Sequence, residues 1–232
     1  MSPIDMIYPG KPILPIRLFR YCQLFWRFRL FTMVSWRAYL SNLYLTDRFL
    51  GNAALADGCI IECGTWKGGM AAGLACIGGP NRHYYFFDSF KGLPLVTIED
   101  GDDAREWQQN RSGPRYFNNC TAGREEFANV IALANLPLSH VHVYEGFFKD
   151  SFSEICVPPI AILRLDADWY DSTLLCLETF WDRLIPGALI IIDDYFDWEG
   201  CRKAVHHFLA KRKAREAISQ LCFGHVTYIT KL

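Results

Sequence analysis

The sequence predicts an α/β fold: a mostly parallel, Rossmann-like sheet of seven strands that ends in a C-terminal antiparallel hairpin and carries helices on both faces. Three observations predict it. The chain has 232 residues, 51% of them hydrophobic and 21% charged, which is enough apolar material for a buried core. From Gly58 onward, short apolar runs alternate with helical segments, a pattern typical of βα units on a parallel sheet. The last two apolar runs, Ser219–Cys222 and His225–Thr230, indicate the hairpin.

The elements follow in order along the chain. After Pro15, the stretch Ile16–Leu50 contains neither proline nor glycine and predicts one or two helices. The predicted parallel strands are Cys59–Cys63, His83–Asp88, Val141–Glu145, Ile160–Asp166 and Ala188–Asp193. The predicted helices between them are Gly68–Cys76, Arg124–Leu133, Ser172–Leu184 and Gly200–Lys213. The polar segment Lys91–Pro114 predicts a long loop or lid. We therefore expect a helical extension over residues 1–57, acting as lid, dimer element or anchor, and one domain over residues 58–232.

The formal net charge of −1 conceals a basic leader and an acidic body. Residues 1–46 hold six Lys or Arg side chains against Asp5 alone. The near-neutral total argues against a nucleic-acid partner. The leader's arginines alternate with aromatic residues, so contact with a membrane surface is one interpretation. Packing of a helix pair on the body or on a dimer mate is the favoured one. The same arginines interrupt any signal or transmembrane run, and the nine cysteines form no Cys-x-x-Cys pair. We therefore expect a cytoplasmic protein.

The turn after the first strand predicts a binding site for S-adenosylmethionine. Gly64, Thr65, Trp66 and Gly68 form a strand-to-helix turn with small residues, where the backbone can approach a ligand closely. The spacing matches neither the dinucleotide motif nor a P-loop. Glu62 suits the amino group of a methionine moiety, and Asp88, at the end of the second strand, suits the hydroxyls of a ribose. The alternative is a close-packed βα turn without a ligand.

Aspartates follow the fourth and fifth predicted strands and predict a metal site. Asp166 ends one strand, and Asp193 and Asp194 end the next. Because the carboxyl ends of parallel strands lie at one edge of the sheet, these carboxylates can converge. Clustered carboxylates repel one another unless a cation neutralises them, and oxygen-only ligands suit Mg²⁺. Capping of the following helices is the alternative, which we assign to Asp171 and Asp197.

Several motifs together resemble the macrocin O-methyltransferase (TylF/MycF-like) family: Cys59–Gly69, Asp88–Pro94, Glu145–Asp150, Leu163–Thr173, and Asp193–Tyr195 with Gly200–Val205. The resemblance implies a class I S-adenosylmethionine-dependent methyltransferase, usually dimeric, that methylates sugar hydroxyls of natural products with Mg²⁺. It implies that the methionine and ribose ends of the cofactor contact Glu62, Gly64, Asp88 and Ser89, and that the adenine lies beside Glu145 and Gly146. It also implies that the metal ligands are Asp166, Asp193 and Asp194.

The same carboxylates predict how the acceptor loses its proton. Mg²⁺ would lower the pKa of an acceptor hydroxyl, and a neighbouring carboxylate would take the proton. Asp166 is the first candidate and Asp168 the second, whereas His206 and His207 on a predicted helix favour a structural role. Two other functions remain open: a nicotinamide-dependent oxidoreductase, disfavoured by the missing glycines, and a non-catalytic cofactor-binding or scaffold protein of the same fold.

Overall fold

A seven-stranded sheet lies at the centre of the protein. The computed structural model describes residues 15–114, 116–153 and 155–232. The strands are β1 Cys59–Cys63, β2 Tyr84–Asp88, β3 Val141–Glu145, β4 Ile160–Leu165, β5 Leu184–Ile192, β6 Ile218–Leu221 and β7 Val226–Thr230. Their order is β3-β2-β1-β4-β5-β7-β6, parallel from β3 to β5, with β7 antiparallel to both of its neighbours. The predicted fold class is confirmed.

Eight α-helices surround this sheet in the described part of the chain. They are α1 Pro15–Phe28, α2 Trp36–Leu50, α3 Gly69–Gly78, α4 Gly101–Gln109, α5 Arg124–Ala132, α6 Phe148–Ser151, α7 Tyr170–Phe180 and α8 Glu199–Arg212. Every residue of β1 and β4 is buried, as expected for central parallel strands that helices cover on both faces. Their carboxyl ends are therefore held rigidly at one edge of the sheet.

The N-terminal extension forms two helices that pack into the main core. Tyr21 and Phe28 of α1 and Tyr39 of α2 are buried there, and the Tyr39 hydroxyl donates to the carbonyl of Gly69 at 3.0 Å. The helices separate where the Ser35 hydroxyl caps α2 by accepting from the N–H of Ala38. None of the helices in the described residues has both the length and the apolar character needed to cross a membrane.

The arginines of α1 contact the ends of other helices. Arg20 donates to the carbonyl of Cys76 in the last turn of α3, at 2.6 Å, and Arg27 donates to the carbonyl of Leu133 just after α5, at 2.8 Å. Cations at helix C-termini satisfy unpaired carbonyl groups and complement the helix dipole. Two arginines of the basic leader are thus engaged by the body. The first 14 residues, including Lys11, lie outside the described residues.

Two predicted elements differ from the structure. The segment Lys91–Pro114 contains helix α4, because Ala104 and Trp107 bury one side of a charged nine-residue helix against Trp169. The last parallel strand begins at Leu184 rather than Ala188, because Leu184 pairs with Ile160 and a register shift then accommodates the residues that follow. The other predicted helices and strands begin and end within a few residues of those observed.

Candidate active site

The turn between β1 and α3 requires glycine at its first position. Gly64 has φ +84°, and a Cβ atom there would lie 1.7 Å from the carbonyl oxygen of Asp166. Gly68 has φ +87°, and a Cβ there would meet the ring of Phe127 at 2.7 Å. The first glycine therefore lets the turn pass directly over the end of β4, which brings the predicted cofactor turn and the predicted metal site together.

Asp88, at the end of β2, holds this turn in place. Its Oδ2 accepts from the N–H groups of Thr65 and Trp66 at 2.8 and 2.7 Å, and its Oδ1 accepts from the N–H of Phe90 at 2.7 Å. Burial raises its pKa, and these three hydrogen bonds act in the opposite direction. A carboxylate oxygen has two lone pairs, so Oδ1 retains the capacity to accept from a ligand hydroxyl.

A buried guanidinium links the carboxylates at this edge. Arg164 of β4 donates to Glu62 Oε1 at 2.7 Å and to Asp166 Oδ2 at 2.8 Å. It also forms an ion pair with Asp193 Oδ1 at 2.6 Å. Its Nε donates to Asn42 Oδ1 of α2 at 3.1 Å. One cation thus faces three carboxylates, and the negative charge left over suits cationic ligands.

Glu62 has one carboxylate oxygen without a partner among the described residues. The side chain is fully buried, and Oε2 makes no hydrogen bond. Burial raises the pKa of Glu62 to about 8, although the Arg164 guanidinium lowers it. A buried, unpaired acceptor in a cavity wall fits the ammonium group of a methionine moiety, because such a donor would satisfy the oxygen and stabilise its ionised form.

Two further carboxylates lie close to Asp166, above β4 and β5. Asp166, Asp168 and Asp194 each offer one oxygen, and these oxygens lie within 4.8 Å of one another. The backbone N–H of Asp168 donates to Asp194 Oδ2 at 3.1 Å. Burial raises the pKa of Asp166 to about 6, and burial and the neighbouring carboxylates hold the pKa values of Asp168 and Asp194 well above their usual range. Such a donor set fits a hard divalent cation, whose charge would favour the ionised carboxylates.

Two adjoining cavities meet at these residues. The first, of about 460 Å³, contains Glu62 and the carboxylate group, and its rim includes Met33 of the extension and Phe196. The second, of about 500 Å³, is lined by Asp88, Ser89 and Phe147. Gly64, Cys120 and Asp166 line both cavities. The arrangement can hold an elongated ligand across the glycine turn, with a second molecule beside the carboxylates.

The predicted site residues do not all face these cavities. Glu62, Gly64, Thr65, Trp66, Asp166, Asp193 and Asp194 line the first, and Asp88 and Ser89 the second. Ser89 donates to the carbonyl of Gly92 at 2.7 Å. Glu145 instead pairs with Arg124 at 3.2 Å. Neither Glu145 nor Gly146 lines the second cavity, where Phe147, Phe148 and Lys149 follow them. Their place beside an adenine remains a prediction.

Two contributors to the site, Arg164 and Asn42, were not predicted from the sequence. Arg164 carried a signal, a charged residue inside the apolar run Ile160–Leu165, but it was not assigned a role. Asn42 gave no signal, because its contact spans 122 residues of sequence. Asp168 was only the second candidate for proton transfer, and the structure brings it beside Asp166 and Asp194.

The strand order and the site at the carboxyl ends of β1, β4 and β5 define a class I methyltransferase. Among solved structures, the O-methyltransferase NovP superposes with a TM-score of 0.72 at 25% identity, covering 87% of this chain and 82% of that one. A calicheamicin methyltransferase superposes with a TM-score of 0.63 at 17% identity over 99% and 97% of the two chains, which supports the fold.

The sequence assigns the family within this class. The profile of the macrocin-O-methyltransferase (TylF) family matches residues 31–228, and the chain belongs to that family. It is an S-adenosylmethionine-dependent O-methyltransferase of the kind found in natural-product biosynthesis. The resemblance drawn from its motifs is confirmed. The oxidoreductase and scaffold alternatives are therefore set aside.

Two characterised relatives share 30% identity with the chain. One is the 8-demethyl-8-(2,3-dimethoxy-alpha-L-rhamnosyl)-tetracenomycin-C 4'-O-methyltransferase of Streptomyces olivaceus, aligned over 95% of this chain and 82% of that protein. The other is the mycinamicin III 3''-O-methyltransferase of Micromonospora griseorubida, aligned over 73% and 68%.

Proposed function

We propose that this protein transfers the methyl group of S-adenosylmethionine to a sugar hydroxyl of a natural product, assisted by Mg²⁺. The observation that carries the proposal is the position of the Asp166, Asp168 and Asp194 carboxylates, which line the first cavity at the point where it meets the glycine turn. The rhamnosyl group in the name of the Streptomyces olivaceus relative supports a sugar as the acceptor.

The cofactor is assigned to the two cavities by the chemistry of their walls. Glu62 would accept from the cofactor's ammonium group, and the free capacity of Asp88 Oδ1 would accept from a ribose hydroxyl. Ser89, Phe147 and Phe148 line the cavity in which the adenosine would lie. The turn residues Thr65 and Trp66 are held by Asp88, so they would present a fixed backbone to the ligand.

The metal is assigned to the acidic edge. Asp166 and Asp194 are predicted metal ligands, and both also belong to the group of carboxylates whose oxygens lie close together. Asp193, the third predicted ligand, pairs with Arg164 through Oδ1, so Oδ2 is its oxygen that could contact an ion. When bound, Mg²⁺ would polarise the acceptor hydroxyl and lower its pKa, and S-adenosylmethionine would supply the methyl group.

Asp168 is the better supported acceptor of the hydroxyl proton. Asp166, the first candidate from sequence, forms an ion pair with the Arg164 guanidinium. The described residues give Asp168 no such ion pair, and its carboxylate instead accepts from the indole N–H of Trp198. A carboxylate held close to the acceptor and free of a cationic side chain can remove the proton as the methyl group is transferred.

The experiment is methyl transfer to an aryl α-L-rhamnoside, followed by mass spectrometry. We expect Asp194→Asn or added EDTA to reduce turnover by about 10–100-fold, because the oxygen ligands of the ion are lost or left empty. The dissociation constant for S-adenosylhomocysteine, measured by calorimetry, should change little. Asp103→Asn removes an exposed carboxylate of the lid helix and serves as the matched control. Full activity of Asp194→Asn in EDTA would contradict metal assistance.

A further inference from the structure

Asp168 adopts a backbone conformation that needs external support. Its φ is +55°, in the left-handed region that residues other than glycine rarely occupy. Its N–H donates to Asp194 Oδ2, which fixes the backbone but leaves the carboxylate able to rotate. A side chain that must point at a reacting hydroxyl therefore requires a second contact, made to the carboxylate itself.

Trp198 makes that contact. Its indole Nε1–H donates to Asp168 Oδ1 at 3.1 Å. Its backbone N–H donates to the carbonyl of Asp194 at 3.0 Å, so the turn that carries Trp198 starts at another member of the carboxylate group. The indole and the two aspartates therefore belong to one hydrogen-bonded unit.

Two other tryptophans fix the orientation of the Trp198 ring. Trp169 lies edge-on to it at 5.0 Å between ring centroids, and Trp107 lies edge-on at 5.9 Å. Trp107 belongs to α4, so part of the support comes from the lid. Edge-to-face aromatic packing of this kind restricts the ring to one orientation. A phenylalanine would keep much of this packing but would lack the N–H donor.

We propose that Trp198 is a positioning residue for methyl transfer: its indole N–H holds the Asp168 carboxylate toward Asp166, Asp194 and the acceptor hydroxyl. The inference rests on the proposed function, in which Asp168 takes the proton. Trp198 does not line the cavity that contains these carboxylates. It acts through Asp168 and not on the substrate.

A matched pair of variants isolates the hydrogen bond. Trp198→Phe and Trp181→Phe each remove one indole N–H, but Trp181 lines neither cavity and packs edge-on against Phe208. We expect kcat to fall at least about tenfold in Trp198→Phe, because the Asp168 carboxylate is then no longer held toward the acceptor hydroxyl. We expect kcat to stay within about twofold in Trp181→Phe, with KM for S-adenosylmethionine unchanged in both.

A second measurement needs neither metal nor turnover. In ¹⁵N-labelled protein, the two Phe variants assign the indole N–H resonances of Trp198 and Trp181. We expect Asp168→Ala to shift the Trp198 resonance and to leave the Trp181 resonance in place. An unshifted Trp198 resonance, or equal losses of kcat in the two Phe variants, would overturn the inference. Absence of methyl transfer by the wild-type protein would contradict the proposed function, and the resonance shift would still test the contact.

Discussion

At the scale of single residues, the positive charge of Arg164 offsets the repulsion between the carboxylates of the site. Its guanidinium contacts Glu62, Asp166 and Asp193, which come from three neighbouring strands, and its own side chain is fully buried. A buried cation with several partners is costly to desolvate, but its removal leaves the fully buried Glu62 and the partly buried Asp166 and Asp193 without a cationic partner. Arg164 is therefore as much a part of the site as the acids it joins.

We expect Arg164→Met to lower the free energy of unfolding by about 3–5 kcal/mol, the usual cost of leaving buried charges unpaired. Lys67→Met provides the comparison, because Lys67 pairs with Glu126 in a partly exposed ion pair, and such pairs contribute about 0–1 kcal/mol. Urea denaturation of both variants measures the difference. Similar losses in the two variants would show that the Arg164 contacts contribute no more than a surface pair.

The sequence predicted the acids of the site better than their partners. Glu62, Asp88 and Asp194 were predictable because each lies at the end of an apolar run, and strand ends share one edge. The ion pair of Asp193 was not predictable, because it depends on which strand lies beside β5 and in which register. The hydrogen bonds by which the Asp88 carboxylate holds the turn were not predictable either, because they depend on how two loops approach each other in the fold.

At the scale of elements, the lid is more ordered than its polar composition indicates. The lid is the segment Lys91–Pro114. Asp100 is buried in it, and its Oδ1 accepts from the N–H of Tyr170 at 2.7 Å while its Oδ2 accepts from the N–H of Thr97. One carboxylate thus closes a turn of the lid and caps the start of α7, which explains why α7 begins before its predicted position at Ser172.

We expect Asp100→Ala to loosen the lid, because loss of a capping side chain costs about 1 kcal/mol and here also frees the N–H of Thr97. The measurement is limited proteolysis, which should cleave within residues 95–114 faster than in the wild-type protein. Asp103→Ala, an exposed acid on the same helix, is the control and should leave the cleavage rate unchanged. Equal cleavage of the two variants would contradict the anchoring role of Asp100.

At the scale of the whole molecule, an exposed apolar stripe remains on α1 and the short turn that follows it. We define the stripe as Ile16, Phe19, Trp26 and Leu30, which are 62–75% exposed. Arg17, Arg20 and Arg27, on the same helix, are bonded to Asp47, Cys76 and Leu133. Because these charges are already engaged by α2 and by the body, we propose a second copy of the chain, and not an anionic membrane, as the partner of the stripe.

We expect the wild-type protein to sediment as a dimer and the double variant Phe19→Glu, Trp26→Glu to sediment as a monomer, because two charges would then lie in an apolar interface. Leu138→Glu, at a position 88% exposed and outside α1, should remain a dimer. Sedimentation equilibrium measures both. A monomeric wild-type protein, or one that binds anionic vesicles through the stripe, would contradict this assembly.

The hydrogen bond from Arg164 to Asn42 limits how this enzyme can be recombined with its relatives. Since α2 supplies a partner to the fully buried Arg164 guanidinium, the extension cannot be exchanged as an independent module that merely selects the acceptor. A chimera that joins the sheet of this protein to the leader of another must supply, at the position of Asn42, a side-chain oxygen that accepts from Arg164. Without it, the fusion would alter the proposed cofactor and metal sites together with the acceptor specificity that it was designed to change.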